Sequence, residues 1–114
     1  MEQLEIATRR HGDIEVLTLG GWLVLGPQVT KLDQTFDNLL NHGVVRFVLV
    51  LDALKRLDSS GIGSLARILQ QAKQGGGWVK LVNPSRQATM ALKMCQLLPL
   101  FQLFTQEQDA LSAP

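Results

Sequence analysis

Leu57-Asp58-Ser59-Ser60-Gly61-Ile62-Gly63-Ser64-Leu65 decides how this chain is read, because it joins an apolar run to a segment with helical spacing. The run before it, Val44-Val45-Arg46-Phe47-Val48-Leu49-Val50-Leu51, is β-branched, aromatic and almost wholly apolar, as a strand buried on both faces of a sheet reads. After it, Ile62, Leu65, Ala66, Leu69 and Ala72 recur at three- and four-residue intervals, with Arg67, Gln70, Gln71, Lys73 and Gln74 mostly between them. That spacing predicts an amphipathic helix with one buried face. Asp58, Ser59 and Ser60 each offer a short side-chain oxygen to the unpaired N–H groups of a first turn, so the helix begins among them. Residue type alone leaves open which of the three is the cap.

A helix start gathers free N–H donors and the positive end of the macrodipole, and it tolerates an anion. A serine there can serve as a cap or accept a phosphoryl group, which adds roughly −1.5 to −2 charge and three acceptor oxygens. Gly61 and Gly63 each cost about 1 kcal/mol relative to Ala inside a helix. Close approach of another backbone is the expected reason for them. The plain alternative is an ordinary cap whose glycines fit a tight strand-to-helix turn.

Either side of this segment the chain reads as short, regular elements. Leu4-Glu5-Ile6-Ala7-Thr8 and Ile14-Glu15-Val16-Leu17-Thr18-Leu19 alternate around the turn residues His11-Gly12-Asp13, which predicts an antiparallel hairpin. Gly20-Gly21-Trp22-Leu23-Val24-Leu25-Gly26-Pro27 breaks that pattern and predicts a short further strand or an ordered loop. Trp22 is either half-buried over the sheet or a contact surface. Val29, Leu32, Phe36, Leu39 and Leu40 predict a first helix over 28–41, with Pro27 near its start and His42-Gly43 at its end. Gly75-Gly76-Gly77 ends the second helix, and Trp78-Val79-Lys80-Leu81-Val82 returns as a strand parallel to the central one. Ala88, Leu92, Met94 and Cys95 mark a third helix capped by Ser85, with the methionines as core filler and the lone Cys95 thiol packed as a small apolar group. Residues 97–104 predict a buried helical turn and extended piece around Pro99. Thr105 is the candidate cap of a last short helix carrying Ala110 and Leu111, and the final Ser-Ala-Pro is expected to fray.

With 114 residues, one core can bury about two-thirds of the surface of the unfolded chain. A formal charge of +1 with dispersed basic residues implies neither nucleic acid nor an acidic membrane as partner. One cysteine allows no internal disulfide and suits a reducing cytoplasm. No signal-peptide layout or apolar run of about 20 residues is present, so membrane insertion is not expected. No metal-ligand cluster or glycine–lysine phosphate motif stands out, and no metal, cofactor or catalytic residue is expected. A serine enzyme would need an activating base, and His11 and His42 fall in a turn and at a helix end.

This order of elements resembles the STAS domain, the fold of anti-sigma factor antagonists. Three signatures carry the resemblance: Asp58-Ser59-Ser60-Gly61-x-Gly63-x-Leu65; Gly76-Gly77 through Val82-Asn83-Pro84-Ser85; and Leu97 through Leu100-Phe101 to Glu107, Ala110 and Leu111. The resemblance covers about Leu4 to Leu111. It implies a single α/β domain over residues 1–114, with a mixed sheet of four to five strands and helices packed mainly on one face. In stand-alone bacterial members the first serine after the aspartate is phosphorylated by a partner kinase that is also the anti-sigma factor, which by position is Ser59. A phosphatase reverses the step. The resemblance further implies a non-enzymatic, cytoplasmic protein, monomeric or weakly dimeric, with Asp58, Ser60, Gly61 and Gly63 as partner-binding residues; Trp22, a candidate contact surface beside two glycines, and Arg56, a cation just before Asp58, join them on their own chemistry. The alternative within the family is an unphosphorylated interaction or scaffold subunit of a signalling complex or lipid-transport ATPase. The chain departs from the regulatory pattern in two places. Gly21-Trp22-Leu23-Val24 lacks the acidic kinase-docking segment, and Lys55-Arg56 stands where apolar residues are usual.

Overall fold

Alternation builds the first two strands of the computed structural model, which describes residues 3–114. Leu4–His11 (β1) and Ile14–Leu23 (β2) pair antiparallel, from Leu4 opposite Gly21 to His11 opposite Ile14. The expected break at Gly20-Gly21 does not occur; β2 runs through both glycines to Leu23. The reason is a close crossing: Gly21 has φ +91, and a Cβ there would lie 2.1 Å from the Gln3 carbonyl oxygen. That same oxygen accepts from Trp22 N at 3.0 Å, so glycine lets the ladder with the N-terminal segment continue.

The first helix, Pro27–Asn41 (α1), buries Leu32 and Phe36 and starts on Pro27, whose missing N–H is of no consequence in a first turn. Arg46–Val50 (β3) is the central strand, parallel to β2 on one side and to Trp78–Val82 (β5) on the other. Its two-sided burial is plain from its side chains. Phe47 and Leu49 enter the larger core, where the Phe47 ring meets Phe36 edge to face at 5.8 Å, while Val48 enters a smaller core on the opposite face.

Leu54–Leu57 (β4) is a strand that the sequence pattern does not predict. It pairs parallel with the upper end of β2, beyond the part of β2 that pairs with β3. Ser59–Gln74 (α2) follows, ends at the Gly75 cap as the glycine run predicts, and buries Ile62, Leu65, Leu69 and Ala72 as expected, together with Ile68. Arg86–Met94 (α3) is capped by Ser85, whose hydroxyl accepts from Ala88 N at 3.1 Å. A 3-10 turn over Leu98–Leu100 leads to Gln102–Phe104 (β6), parallel to β5, and Glu107–Ser112 (α4) closes the described fold. The sheet therefore has six strands, in the order β1-β2-β3-β5-β6 with β4 beside β2, one more than the upper expectation. The larger core takes side chains from α1, α2 and α3, and α4 covers the smaller core, so the helices lie mainly on one face.

Five expectations at the C-terminal end need correction. Met90 and Met94 are 53% and 82% exposed, because Ala88 and Leu92 already fill the side of α3 that meets the sheet. Cys95 is likewise exposed at the helix end. Of the 97–104 stretch only Phe101 is buried, and Leu100 and Leu103 face outward near the short edge strand. Gln106, not Thr105, precedes α4, and Ser112 belongs to that helix.

Below the smaller core lies Lys80, fully buried on β5. Its Nζ donates to the carbonyl oxygens of Ala110 at 2.9 Å and Ala113 at 2.7 Å, and lies 4.0 Å from the Trp78 ring centre and 5.4 Å from that of Phe104. Burial pushes the ammonium pKa down. The contacts tie the end of α4, and Ala113 beyond it, to the sheet.

Candidate functional site at the start of the second helix

The turn from β4 into α2 resolves which residue caps the helix. Asp58 is extended, and its Oδ1 accepts from Gly61 N at 3.0 Å. Its Oδ2 accepts from Leu25 N at 2.9 Å, so one carboxylate joins the helix start to the segment after β2. Burial alone would raise the Asp58 pKa. The backbone N–H groups of Leu25, Gly61, Ser60 and Asp58 together outweigh that effect and hold the carboxyl below its ordinary 3.8.

Because the carboxylate caps the first turn through Gly61 N, neither serine is needed as the cap. Ser59 is the first helical residue and its side chain is exposed, with no hydrogen bond from its hydroxyl to the described residues. Ser60 is half-buried, and its carbonyl oxygen is 3.5 Å from the hydroxyl of buried Ser64. The two glycines separate in role. At Gly61 a Cβ would meet the Leu23 carbonyl oxygen at 2.4 Å and the Leu23 and Leu57 side chains at 2.8 Å, which is the close backbone approach expected of it. At Gly63 a Cβ would meet nothing within 4 Å. Gly63 is exposed one helical turn after Ser59 and leaves bare backbone there.

Trp22 and Arg56 stand opposite each other on β2 and β4, the two strands that deliver the turn. The Arg56 guanidinium lies 5.1 Å from the centre of the Trp22 ring, a cation–π contact at a half-buried tryptophan. The fold thus brings Asp58, Ser59, Ser60, Gly61 and Gly63 into one helical start and sets the Trp22–Arg56 pair on the strands beside it. The sequence pattern does not single out Leu25. Its backbone holds Asp58 while its side chain is 76% exposed, and only an apolar residue next to the Gly26-Pro27 break could have drawn attention to it.

His42 turns Nδ1 toward the Asn38 carbonyl oxygen at 2.7 Å, and His11 ends β1; neither makes a hydrogen bond to Ser59 or Ser60. Among the described residues no group of three or more His, Cys, Asp or Glu is placed to hold a metal ion, and no helix is long and apolar enough to cross a membrane.

Residues 5–110 match the family profile described as the STAS domain. A protein of Thermotoga maritima provisionally named an anti-sigma factor antagonist is 28% identical over 76 residues, 67% of each chain. An anti-sigma factor antagonist from Mycobacterium paratuberculosis superposes with a TM-score of 0.84 at 19% identity, over 96% of this chain and 92% of the other. The anti-sigma factor antagonist SpoIIAA in its unphosphorylated form gives 0.73 at 24% identity, over 95% and 91% of the two chains. The phosphorylated form of SpoIIAA, a Bacillus cell fate determinant, gives 0.71 at 22% identity over 95% of each. At these identities the structures share a fold.

Proposed function

The chain belongs to the STAS domain family, and from that premise we propose that it is an anti-sigma factor antagonist-like regulator switched by phosphorylation of Ser59. The observation that carries this reading is the division of labour at the helix start. Asp58 caps the first turn through Gly61 N, which leaves the Ser59 hydroxyl exposed and unengaged. A kinase can therefore approach it without unfolding the turn. In the transfer, Ser59 Oγ attacks the terminal phosphorus of ATP, the bond to the leaving ADP breaks, and the hydroxyl proton passes to a base of the kinase.

The resulting phosphoserine stands on an exposed residue next to a carboxylate that already holds Gly61 N and Leu25 N, so the new charge of roughly −1.5 to −2 stays at the surface. There it meets the partner and not the core. In this reading the unmodified face, with bare Gly63 and the Trp22–Arg56 pair beside it, binds a serine kinase that is also an anti-sigma factor. Phosphorylation breaks that complex by charge and desolvation, and a phosphatase restores it. The protein acts in the cytoplasm, as a monomer or weak homodimer.

The Trp22–Arg56 stack favours a second reading, in which the chain is a constitutive interaction or scaffold subunit of a signalling complex or lipid-transport ATPase and Ser59 is never modified. Phosphosite mapping of protein isolated from its own cells, with phosphatases inhibited and growth conditions varied, separates the two. The switch is expected to give Ser59 phosphate that changes with condition. It also predicts that Ser59→Asp weakens binding to the co-purifying partner at least tenfold while shifting stability by less than about 0.5 kcal/mol. Unmodified Ser59 throughout, with binding lost in Trp22→Ala and retained in Ser59→Asp, would establish the constitutive subunit.

A further inference from the structure

A groove of about 380 Å³ lies between β4 and α3, lined by Lys55, Arg56 and Leu57 on the strand and by Gln87, Met90, Ala91 and Met94 on the helix. The four helix residues fall at spacings of three, four and seven, so they form one stripe along α3. Both methionines are exposed on it. Two further cations of α3, Arg86 and Lys93, are also exposed and by helical geometry lie along the outer flank of the stripe, on the side away from buried Ala88 and Leu92. An apolar floor is thus bordered by Lys55 and Arg56 on one side and by Arg86 and Lys93 on the other.

Among the described residues none of these four cations has a carboxylate within 4 Å, although Glu5 lines a neighbouring pocket with Lys55. The acid nearest to Arg56 along the chain is Asp58. Both oxygens of that carboxylate are engaged by backbone donors, Leu25 N on one and Gly61 N on the other. We infer that this groove docks an acidic amphipathic segment of a partner protein, with its apolar side chains on Met90 and Met94 and its carboxylates facing the flanking cations. Methionine suits such a floor because its unbranched, polarisable side chain adapts to different apolar partners. An exposed apolar strip between two cationic margins matches an amphipathic helix laid along it, whose carboxylates reach both margins. The inference rests on the reading that the chain binds a protein, but not on phosphorylation of Ser59.

The test uses the full chain and a fluorescent peptide of about 14 residues, with Leu at three- and four-residue spacing and Glu between them. Anisotropy titrations are run at low and high salt. The peptide is expected to bind saturably. Lys55→Glu combined with Lys93→Glu should weaken binding roughly tenfold at low salt, with the difference shrinking as salt screens it. Met90→Ser combined with Met94→Ser should weaken it by a similar factor at both salt concentrations. All four positions are exposed, and thermal melts verify that the variants fold. No binding, equal binding by the variants, or equal binding by a peptide with Lys in place of Glu overturns the inference. So does retention on phosphatidylglycerol vesicles without peptide binding, which would assign the face to a lipid surface. Absence of phosphate at Ser59 would refute the switch and leave the peptide result untouched, so the two failures are separable.

Discussion

Replacing each glycine of the α2 start by alanine should give effects of opposite sign. The helix-propensity gain is common to both, about 1 kcal/mol for Gly to Ala in a helix interior. At Gly63 nothing opposes it, because the new methyl group meets no atom within 4 Å, so Gly63→Ala is expected to stabilise by about 0.5–1 kcal/mol. At Gly61 the methyl group lands 2.4 Å from the Leu23 carbonyl oxygen and 2.8 Å from two leucine side-chain carbons. The leucines can rotate, but the oxygen belongs to β2 and cannot. The helix start must back away, which strains the 3.0 Å bond from Gly61 N to Asp58 as well. Overpacking of this kind costs about 1–3 kcal/mol, and loss of the cap about 1 kcal/mol more. Against the propensity gain, Gly61→Ala is expected to destabilise by about 1–3 kcal/mol. Urea unfolding of the two variants and the parent, with a common m-value, measures both. Two stabilised variants would refute the reasoning, since they would show that the approach of the Leu23 carbonyl does not constrain the helix start.

Two titratable groups give further tests. Asp58→Asn should cost about 1–2 kcal/mol at neutral pH, because the amide offers one acceptor oxygen where the carboxylate offers two. The folded Asp58 pKa lies below the ordinary 3.8, so its stabilisation is complete above that value and is lost as pH falls through the folded one. The gap between parent and variant in urea midpoints should therefore close below about pH 4. For Lys80 the slope has the same sign, in a window that reaches up to the ordinary 10.5. Its folded pKa is lowered from 10.5, so the unfolded chain binds more protons between the two values and parent stability gains from this group as pH rises through that window. In Lys80→Met that contribution is expected to vanish, and amide exchange in α4 to accelerate once the Ala110 and Ala113 carbonyls lose their donor.

Most of this architecture was legible in the sequence because it follows from local periodicity. The hairpin, three of the helices and the central strand each carry their own pattern, and the Asp-Ser-Ser-Gly segment announced a helix start. The choice of Asp58 as cap was not legible, because it depends on a second donor, Leu25 N, 33 residues away. β4 was hidden for a related reason. Leu54-Lys55-Arg56-Leu57 is too short and too charged to read as a strand, and it becomes one only because the upper end of β2 extends past β3. Met90 and Met94 have the spacing of core residues, but helical spacing cannot say which side of α3 meets the sheet when small Ala88 and Leu92 suffice to fill it. Lys80 gave no signal at all. Its partners are main-chain oxygens and aromatic rings, and nothing in the strand pattern shows that α4 will arrive over it.

The arrangement of the outer strands bears on how anything attaches to this molecule. An exposed strand edge can template a further strand through its unpaired backbone, which is the route to indiscriminate self-association. Here β1 carries Glu5, Arg9, Arg10 and His11 along its length, β6 is three residues long, and β4 is four residues long with Lys55 and Arg56 in its middle. Charge guards the first, and shortness the other two, so none offers a long apolar ladder for an incoming chain. Recognition must then be read from side chains on the helical and strand-end surfaces, where a single substitution or a single added charge can change the choice of partner.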